Sequence, residues 1–531
     1  MDFPSADKNN SSWAPLLFPV FRIIWLATVF SNIGTWMQDV GESWLMTTLT
    51  NKPLLIALIQ STDALPIFLL ALPAGALADI LDRRLYLLFL QIGMCVMVTA
   101  MALITHYHLM TPALLLSLSL IVGIFIAFAG PTWLAVTPEI IPKNFLSSAV
   151  TLNGVGINVA RLVGPAIAGI IIATSGSAAV FALNALSFLG IIIALIKWHR
   201  EPITRILPAE RFFSAMRVGF RYGLHAPILQ NILMRTLGFF IFASSIMALL
   251  PLFVRKELLR GPQSYGLLVG LFGLGAIVGV SLLPVLRKKY NYDQLIFFSE
   301  IVFGFTVLTI TLGKFFPLIC IAMIVGGIAW LIILVTLNTA VLLGTAAWIR
   351  ARASSLFLAT MFGGIAAGSA LWGCVASAFS VSTALILSVV GLLISAAITR
   401  SFSLKSIIDL DLTPSSHLSE VPIVDESQYE HGPIMVIIEY IIAPEKLESF
   451  IHAMRDMRQI RLREGAFFWE LFTDSNNPEH VKEIFMVESW LEHLRQHHER
   501  ATTYDRQIQE KISAFHKADK APKVSHFIAC K

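Results

Sequence analysis

Ionisable side chains inside long apolar segments are the residues most able to do chemistry in this 531-residue sequence. An ionisable group at the centre of a bilayer costs roughly 2.5 to 3.5 kcal/mol on insertion scales, so each one is a functional candidate. Asp39 and Glu42 lie three residues apart and share one face of a helix. Two carboxylates this close resist simultaneous ionisation, so the pair predicts a site that holds a proton. The alternative is a solvated rim at the end of the helix.

Asp63 and Arg161 are further ionisable residues within apolar segments. Arg161 predicts one of two roles, because its cation can neutralise a nearby carboxylate or bind an anionic substrate. Protons moving inward through such a site supply about 2.3 kcal/mol per charge per 100 mV, enough to drive export of a solute. We expect Arg235 and Glu300 only to extend toward the polar boundary of the membrane. The candidates for proton coupling or substrate binding are Asp39, Glu42, Asp63 and Arg161.

The composition indicates that the two parts of the chain lie in different surroundings, one in a membrane and one in water. The sequence is 56% hydrophobic and 14% charged, against about 25% charged residues in an ordinary soluble domain. Residues 1–400 hold 24 Lys and Arg against 13 Asp and Glu, whereas residues 401–531 hold 15 against 21. The basic residues form short clusters rather than one polar face, so nucleic acid is not an expected partner. A membrane part and a soluble tail are indicated.

Twelve segments are long and apolar enough to cross a bilayer as helices of about 20 residues. The connections between these segments alternate between many and few Lys and Arg residues. By the positive-inside rule the connections with more Lys and Arg are cytoplasmic, and both termini lie on the same side. A longer connection after the sixth segment divides them into two halves, as is usual in secondary transporters. The predicted segments are 19–46, 53–78, 85–105, 112–137, 146–174, 178–198, 228–254, 264–286, 294–313, 317–345, 354–379 and 382–400.

The corresponding domain organisation has six parts. They are a cytoplasmic N-terminal segment (1–18), an N-terminal six-helix half (19–198), a cytoplasmic inter-half loop (199–227), a C-terminal six-helix half (228–400), a linker (401–430) and a cytoplasmic domain (431–531).

The connection after the second segment resembles the GxLADRxGRR loop of the major facilitator superfamily. The residues that carry the resemblance are Gly75, Asp79, Asp82, Arg83 and Arg84. An anion at the C-terminal end of a helix is disfavoured by the helix dipole, so Asp79 needs a cation or another helix N-terminus. The resemblance implies a gating latch between Asp79 and the eleventh helix near Ser354 and Ser355. The alternative is a basic turn that only sets the topology.

Gly164, Pro165 and Gly169 in the fifth segment resemble a glycine-proline motif of exporters in the same superfamily. Proline removes a helix hydrogen bond and glycine permits close packing, so we expect this helix to bend against its neighbours. Glycine and proline are also common in membrane helices without such a role.

Three longer stretches resemble the transmembrane secretion effector branch, which includes enterobactin exporter-like proteins. They are SNIGTWMQDVGESWLMTTLT (31–50), LNTAVLLGTAAWIRARASSLF (337–357) and the tail from 431 to 502. The resemblance implies a bacterial inner-membrane protein whose first, fourth, seventh and tenth helices line a cavity. Packing or interfacial roles are the alternative for each residue. The expected cavity-wall residues are Asn32, Trp36, Gln38, Trp133, Trp330 and Asn338.

The tail alternates apolar and polar residues in Ile434–Tyr440, which predicts a strand. A helix (444–460), strands near 466–473 and 482–488, helices to about 516 and a last strand near 523–529 complete an α+β pattern. It resembles the ferredoxin-like dimeric barrel of antibiotic biosynthesis monooxygenases, which implies a possible homodimer. His493 and His497 have a permitted metal spacing, but the sequence fixes no third ligand. We therefore expect no metal and no cofactor, and a binding or regulatory module rather than an enzyme.

The sequence thus predicts an all-α membrane protein of the major facilitator fold with twelve transmembrane helices, plus a C-terminal α+β ferredoxin-like domain. The predicted function is export of small organic molecules, siderophore-like or drug-like, by proton antiport. The partners are the organic substrate, protons and the lipid bilayer. An importer of the same fold, or a membrane-anchored sensor or enzyme acting through the tail, remains an alternative.

Overall fold

A computed structural model describes residues 13–198, 212–404, 411–413, 415, 432–517 and 521–529. The chain divides into two compact units. The first unit comprises Met1–Ala209, Met234–Leu337 and Leu358–Phe402, and the second comprises Glu210–Leu233, Asn338–Phe357 and Ser403–Lys531.

Eleven helices of the described chain are long and apolar enough to cross a membrane. The longest, α5, contains Gly176 with φ +77°, which interrupts the helix and divides it into two crossings. The two parts of α5 therefore bring the number of crossings to the twelve predicted. The helices are α1 (Pro19–Leu49), α2 (Pro53–Ile80), α3 (Arg83–His106), α4 (Pro112–Ile140), α5 (Leu146–Lys197), α7 (Pro227–Lys256), α8 (Pro262–Arg287), α9 (Tyr292–Leu312), α10 (Phe316–Leu343), α11 (Arg350–Ala378) and α12 (Val381–Thr399).

Local sequence explains where these helices begin. Proline occupies the first turn of α1, α2, α4 and α8, where its missing N–H costs no helix hydrogen bond. The side chains of Asp82, Thr111 and Ser380 accept hydrogen bonds from the first turns of α3, α4 and α12. Asn291 forms a capping box with Gln294 at the start of α9.

A short amphipathic helix, α6 (Phe212–His225), lies within the segment that the sequence predicts only as a loop. Arg217 and Arg221 lie one turn apart on α6, and Tyr222 is buried. The helix was missed because its few apolar residues do not reach the length of a membrane crossing.

The second unit contains a four-stranded antiparallel sheet with the order β2-β3-β1-β4. Its core joins the inward side chains of β1, such as Val436, to Phe450 and Met454 of α13. This is the predicted α+β ferredoxin-like arrangement. The strands are β1 (Ile434–Ile441), β2 (Phe468–Thr473), β3 (His480–Val487) and β4 (Lys523–Ile528), and the helices are α13 (Leu447–Glu464), α14 (Trp490–Arg495) and α15 (Thr503–Ser513).

The likeness of this domain to the monooxygenase barrels, and the homodimer that it implies, stay predictions. His431, which begins the predicted domain, lies outside the described residues.

Candidate transport site

Glu42 lies at the centre of a buried polar network that joins three crossings of the N-terminal half. Its carboxylate accepts hydrogen bonds of 2.6 Å from the Gln38 amide and 2.6 Å from the Ser119 hydroxyl of α4. Asn184, in the second part of α5, donates to the Gln38 oxygen at 2.5 Å. Ser187 in turn donates to the Asn184 oxygen at 2.9 Å. Both oxygens of Glu42 therefore receive donors, an arrangement that suits the ionised form.

Asp39 and Asp63 lie close to this network but have different surroundings. Both are half-buried, and their charges interact with each other and with that of Glu42. Among the described residues neither carboxylate has a hydrogen bond or an ion pair. Tyr265 of α8, in the C-terminal half, lies within electrostatic range of Asp39. The three predicted carboxylates are thus brought together, and Asp39 faces the boundary between the halves.

Arg161 is not paired with these carboxylates. Its guanidinium lies 5.1 Å from the ring centroid of Trp36, and its buried Nε has no hydrogen-bond partner in the part of the chain described. Neutralisation of a carboxylate, one of the two predicted roles, is therefore not seen in this conformation. The cation is held by an aromatic face instead.

A cavity of about 370 Å³ lies within the N-terminal half, between α1, α3, α4 and the two parts of α5. Asn32 and Trp133, two of the predicted wall residues, line it together with Gln91, Thr35 and Asn153. Its volume and its mixed aromatic, apolar and amide lining suit a small amphipathic organic molecule.

Two of the other predicted wall residues do not line this cavity and instead contact other side chains of their own half. Gln38 is 3% exposed and belongs to the Glu42 network. Trp330 packs against Phe239, Phe240, Phe272 and Phe303 at ring distances of 5.0 to 5.9 Å. Asn338 is exposed.

The two halves are in contact at the end of the bundle where α1 connects to α2. Arg255 at the end of α7 donates to the backbone oxygen of Thr47, and Lys256 donates to that of Asn51 at 3.4 Å. The backbone N–H of Leu54 donates to the Ser377 hydroxyl at 3.1 Å. Further along α2, Ser61 donates to the backbone oxygen of Ala366 at 2.9 Å. This end is therefore closed by hydrogen bonds between α1 or α2 and α7 or α11.

The glycine-proline motif of α5 packs against helices of both halves. Gly164 lies against Trp36, since a β-carbon at this position would be 2.8 Å from Trp36 Cβ. Gly169 faces Gly266 of α8, where any added methyl group would collide with the carbonyl of Pro165. These small residues allow backbone approach between α5 and α8.

In the basic turn between α2 and α3, the arginines bind partners within the N-terminal half. Arg83 forms a 2.6 Å ion pair with Glu139 of α4 and donates to Ala78 O at 3.1 Å. Arg84 donates to Leu195 O at 2.8 Å. The backbone around Gly75 leaves open space. The side chain of Asp79 lies outside the described residues, so its latch stays a prediction.

Arg235 and Glu300 contradict the expectation that they extend to the membrane boundary. Both are 2% exposed. Arg235 forms a 3.1 Å ion pair with Asp293 and donates to Thr399 O at 3.2 Å. Arg235 is buried because Asp293 of α9 and Thr399 of α12 supply partners that the sequence does not reveal. The buried Oε1 of Glu300 has no hydrogen-bond partner among the described residues.

Residues 10–531 match the sequence pattern of the family described as transmembrane secretion effector. The chain belongs to that family. The chain is thus a multi-pass membrane transporter of the major facilitator type and not an enzyme, as the sequence predicts.

Relatives of the chain include a transporter and an exporter that are named for small molecules. The Staphyloferrin A transporter of Staphylococcus aureus (strain NCTC 8325 / PS 47) is 25% identical over 300 residues, which cover 55% of this chain and 74% of the relative. The Enterobactin exporter EntS of Salmonella typhi is 25% identical over 283 residues, covering 51% of this chain and 66% of the exporter.

Solved structures of transporters share the fold of this chain. A bacterial homologue of the human lysosomal transporter Spinster has a TM-score of 0.57 at 13% identity, over 76% of this chain and 99% of that one. The nucleoside transporter NupG has a TM-score of 0.57 at 14% identity, over 72% of this chain and 99% of its own.

The sequence did not reveal two polar residues of the candidate transport site, Ser119 and Asn184. The only available signal was that each is a polar residue within an apolar helix. Serine and asparagine occur in many membrane helices, so that signal does not select these two.

Proposed function

We propose that this protein exports small organic molecules by alternating access and that inward proton movement drives the export. The observation that carries the proposal is the group of three carboxylates, Asp39, Glu42 and Asp63, beside the boundary between the halves. No cation neutralises Asp39 or Asp63 among the described residues. Acidic groups within membrane helices typically mark proton or ion pathways.

The hydrogen bonds give the three carboxylates different roles in proton binding. Glu42 receives a donor at each oxygen, and these hydrogen bonds favour its ionised form, whose charge repels a second negative charge nearby. Asp39 and Asp63 lack such donors, so protonation relieves the repulsion without breaking a hydrogen bond. Parting of the halves at the α1–α2 end would give water access to Asp39. Protonation there would then favour closure of that end.

The substrate class follows from the cavity and from the relatives. The cavity beside Asn32 and Trp133 fits a solute with aromatic or apolar surface and a few polar groups. Arg161 offers a cation to an anionic group. Siderophore-like molecules meet both conditions, and two relatives are named for staphyloferrin A and enterobactin. The proposed substrate class also includes drug-like amphipathic molecules.

The orientation proposed is cytoplasmic for both termini, with the protein in a bacterial inner membrane. The basic connections favour this topology by the positive-inside rule. An importer of the same fold differs only in the direction of net movement.

The experiment is transport in proteoliposomes with an imposed pH gradient, using enterobactin and staphyloferrin A as probes. Wild-type protein is expected to move one of them against its gradient. The Asp39→Asn protein is expected to keep substrate exchange and lose the dependence on the pH gradient. Glu257→Gln, an exposed carboxylate in the α7–α8 connection, is the matched control and should behave as wild type. Unchanged pH dependence in Asp39→Asn would remove Asp39 from the coupling mechanism.

The sensor alternative is tested by deleting residues 432–531. Transport that persists in the shortened protein assigns the movement of solute to the helices. If neither form transports any probe while ligand binding persists, the chain acts as a sensor.

A further inference from the structure

A second cavity, of about 390 Å³, lies in the second unit at the corner where α6 ends and α7 begins. One wall is α13 of the C-terminal domain. Its lining residues are Leu224, His225, Pro227, Gln230, Arg455, Arg458, Gln459 and Leu462.

Arg455 and Arg458 differ from the other arginines of α13 in having no carboxylate partner. Arg461 forms an ion pair with Glu483 at 3.1 Å, and Arg463 forms one with Asp505 at 2.6 Å. In the described part of the chain neither Arg455 nor Arg458 forms an ion pair or a hydrogen bond. Because they lie three residues apart, both guanidiniums project from one face of the helix into the same cavity.

This basic face stands out against the charge of its domain. Residues 401–531 contain 15 Lys and Arg against 21 Asp and Glu. Asp456, between the two arginines in sequence, lines a neighbouring cavity with Tyr222 and Tyr504 instead. Arg455 and Arg458 are the charged residues that line the cavity at this corner, and no carboxylate is among its described lining residues.

The opposite wall is the beginning of a membrane-crossing helix. Pro227 is the first residue of the apolar span Pro227–Lys256. Leu224 and Leu462 add apolar surface, and the Gln459 amide adds hydrogen-bond donors. A molecule bound here would have its anionic group at the arginines and apolar groups beside the start of the span.

We propose that this cavity binds the phosphate head group of an anionic phospholipid through Arg455 and Arg458. A guanidinium matches phosphate oxygens with paired N–H donors, and basic pockets beside membrane helices recognise lipid head groups. Free phosphate shares this chemistry but makes no use of the apolar wall. A bound lipid would attach α13, and hence the C-terminal domain, to the membrane next to α7.

The test is native mass spectrometry of the full-length protein in detergent, titrated with phosphatidylglycerol, phosphatidylcholine or inorganic phosphate. We expect tighter binding of phosphatidylglycerol than of phosphatidylcholine. The double variant Arg455→Gln/Arg458→Gln should weaken phosphatidylglycerol binding about thirtyfold, since each surface arginine contributes roughly fivefold. Lys511→Gln/Lys523→Gln removes the same charge from exposed sites outside the cavity and should leave binding unchanged.

Three outcomes would overturn the proposal. Equal phosphatidylglycerol affinity in the arginine variant and wild type means that the lipid binds elsewhere. Full displacement of the lipid by inorganic phosphate means that the site takes a soluble anion. If the glutamine variant does not fold, Arg455→Lys/Arg458→Lys decides, because it keeps the charge but loses the paired donors. Affinity equal to wild type in this lysine variant would exclude guanidinium recognition.

Discussion

Arg161 and Trp36 form a cation–π contact, with the guanidinium carbon 5.1 Å from the ring centroid. The contact depends on Gly164, one turn further along α5, because a side chain there would meet the Cβ of Trp36. On the other side, Gly273 of α8 lies against the backbone and Cγ of Arg161. Arg161 is therefore enclosed by α1 and α8, one from each half. A cation held by a ring keeps its charge available to an anionic solute.

Removing this cation should impair transport of an anionic substrate. For Arg161→Gln we expect at least a tenfold lower transport rate of enterobactin in proteoliposomes, since the charge is lost. Trp36→Phe keeps an aromatic face and should cost less, because a cation–π contact contributes about 0.5 to 2 kcal/mol.

Arg260→Gln is the control for loss of an arginine stacked on a ring. Arg260 lies 4.0 Å from the ring centroid of Phe316 at the beginning of α10. This variant should transport normally. If Arg161→Gln also transports normally, Arg161 serves packing alone.

The sequence identifies the carboxylates of the candidate transport site but not their partners. Asp39, Glu42 and Asp63 stand out because a charge in an apolar helix is costly. Ser119, which donates to Glu42, is 77 residues away, and Asn184, which donates to Gln38, is 146 residues from Gln38. Such long-range pairing depends on helix rotation and packing, which a polar residue in an apolar segment does not specify. For the same reason the sequence did not show that Gln38 belongs to this network rather than to the lining of the cavity.

The twelve crossings were predictable because bilayer thickness imposes a length on every apolar segment. Trp330 shows the limit of that reasoning. Trp330 lies on the tenth crossing, α10, which the family resemblance predicts to line the cavity. Four phenylalanines nevertheless surround its ring. Which side of a uniformly apolar helix faces the cavity cannot be obtained from its sequence period.

Contact between the halves should be sensitive to a methyl group at Gly266. A β-carbon there would collide with Pro165 O, and backbone atoms of α5 cannot move away as a flexible side chain can. We expect Gly266→Ala to part α5 from α8 and to shift the protein away from the conformation that is closed at the α1–α2 end. The measurement is the rate at which a membrane-impermeant thiol reagent labels a cysteine placed at Thr47, whose side chain is buried at the closed end.

Gly261→Ala is the matched control for this substitution. Gly261 precedes α8 at the same end, and a β-carbon there would have open space. Labelling should increase several-fold in Gly266→Ala and stay at the wild-type rate in Gly261→Ala. Equal labelling in both variants would show that the α5–α8 contact does not control closure.

Acid should destabilise the C-terminal domain through His493. Burial, followed by the neighbouring His497 and His526, lowers the pKa of His493 to about 3. The unfolded chain binds a proton below about pH 6.5, whereas the folded domain does not until about pH 3. The contribution of His493 to stability is therefore complete above pH 6.5 and falls by up to about 1.4 kcal/mol per pH unit below it.

The pH dependence can be measured by thermal unfolding of the full-length protein between about pH 7 and pH 5. His493→Gln should reduce the loss of melting temperature on acidification relative to wild type. His452→Gln removes an exposed histidine from α13 and should keep the wild-type pH dependence. Burial raises the pKa of Glu464 to about 8, which acts in the opposite direction in every variant. The difference between variants and wild type cancels that contribution.

Attachment of α6 to the C-terminal domain should depend on Arg221 more than on Arg217. Arg221 donates to the backbone oxygen of Gly465 at 2.6 Å and to Glu488 at 3.2 Å, and its side chain is 17% exposed. Arg217 contacts the same carboxylate at 2.9 Å but is 63% exposed. A solvent-exposed ion pair contributes about 0 to 1 kcal/mol. A less exposed charged donor contributes about 1.5 to 3 kcal/mol.

Arg221→Ala should therefore increase amide hydrogen exchange across α6 by about tenfold or more, because the helix loses its bond to the domain. Arg217→Ala is the matched control and should change exchange by less than about fivefold. Glu488→Gln separates the two contacts of Arg221, since it weakens the ion pair but leaves the bond to Gly465 O. An intermediate effect in Glu488→Gln assigns the remainder to that backbone bond. Equal exchange in the two alanine variants would mean that apolar packing around Tyr222, rather than Arg221, holds α6 in place.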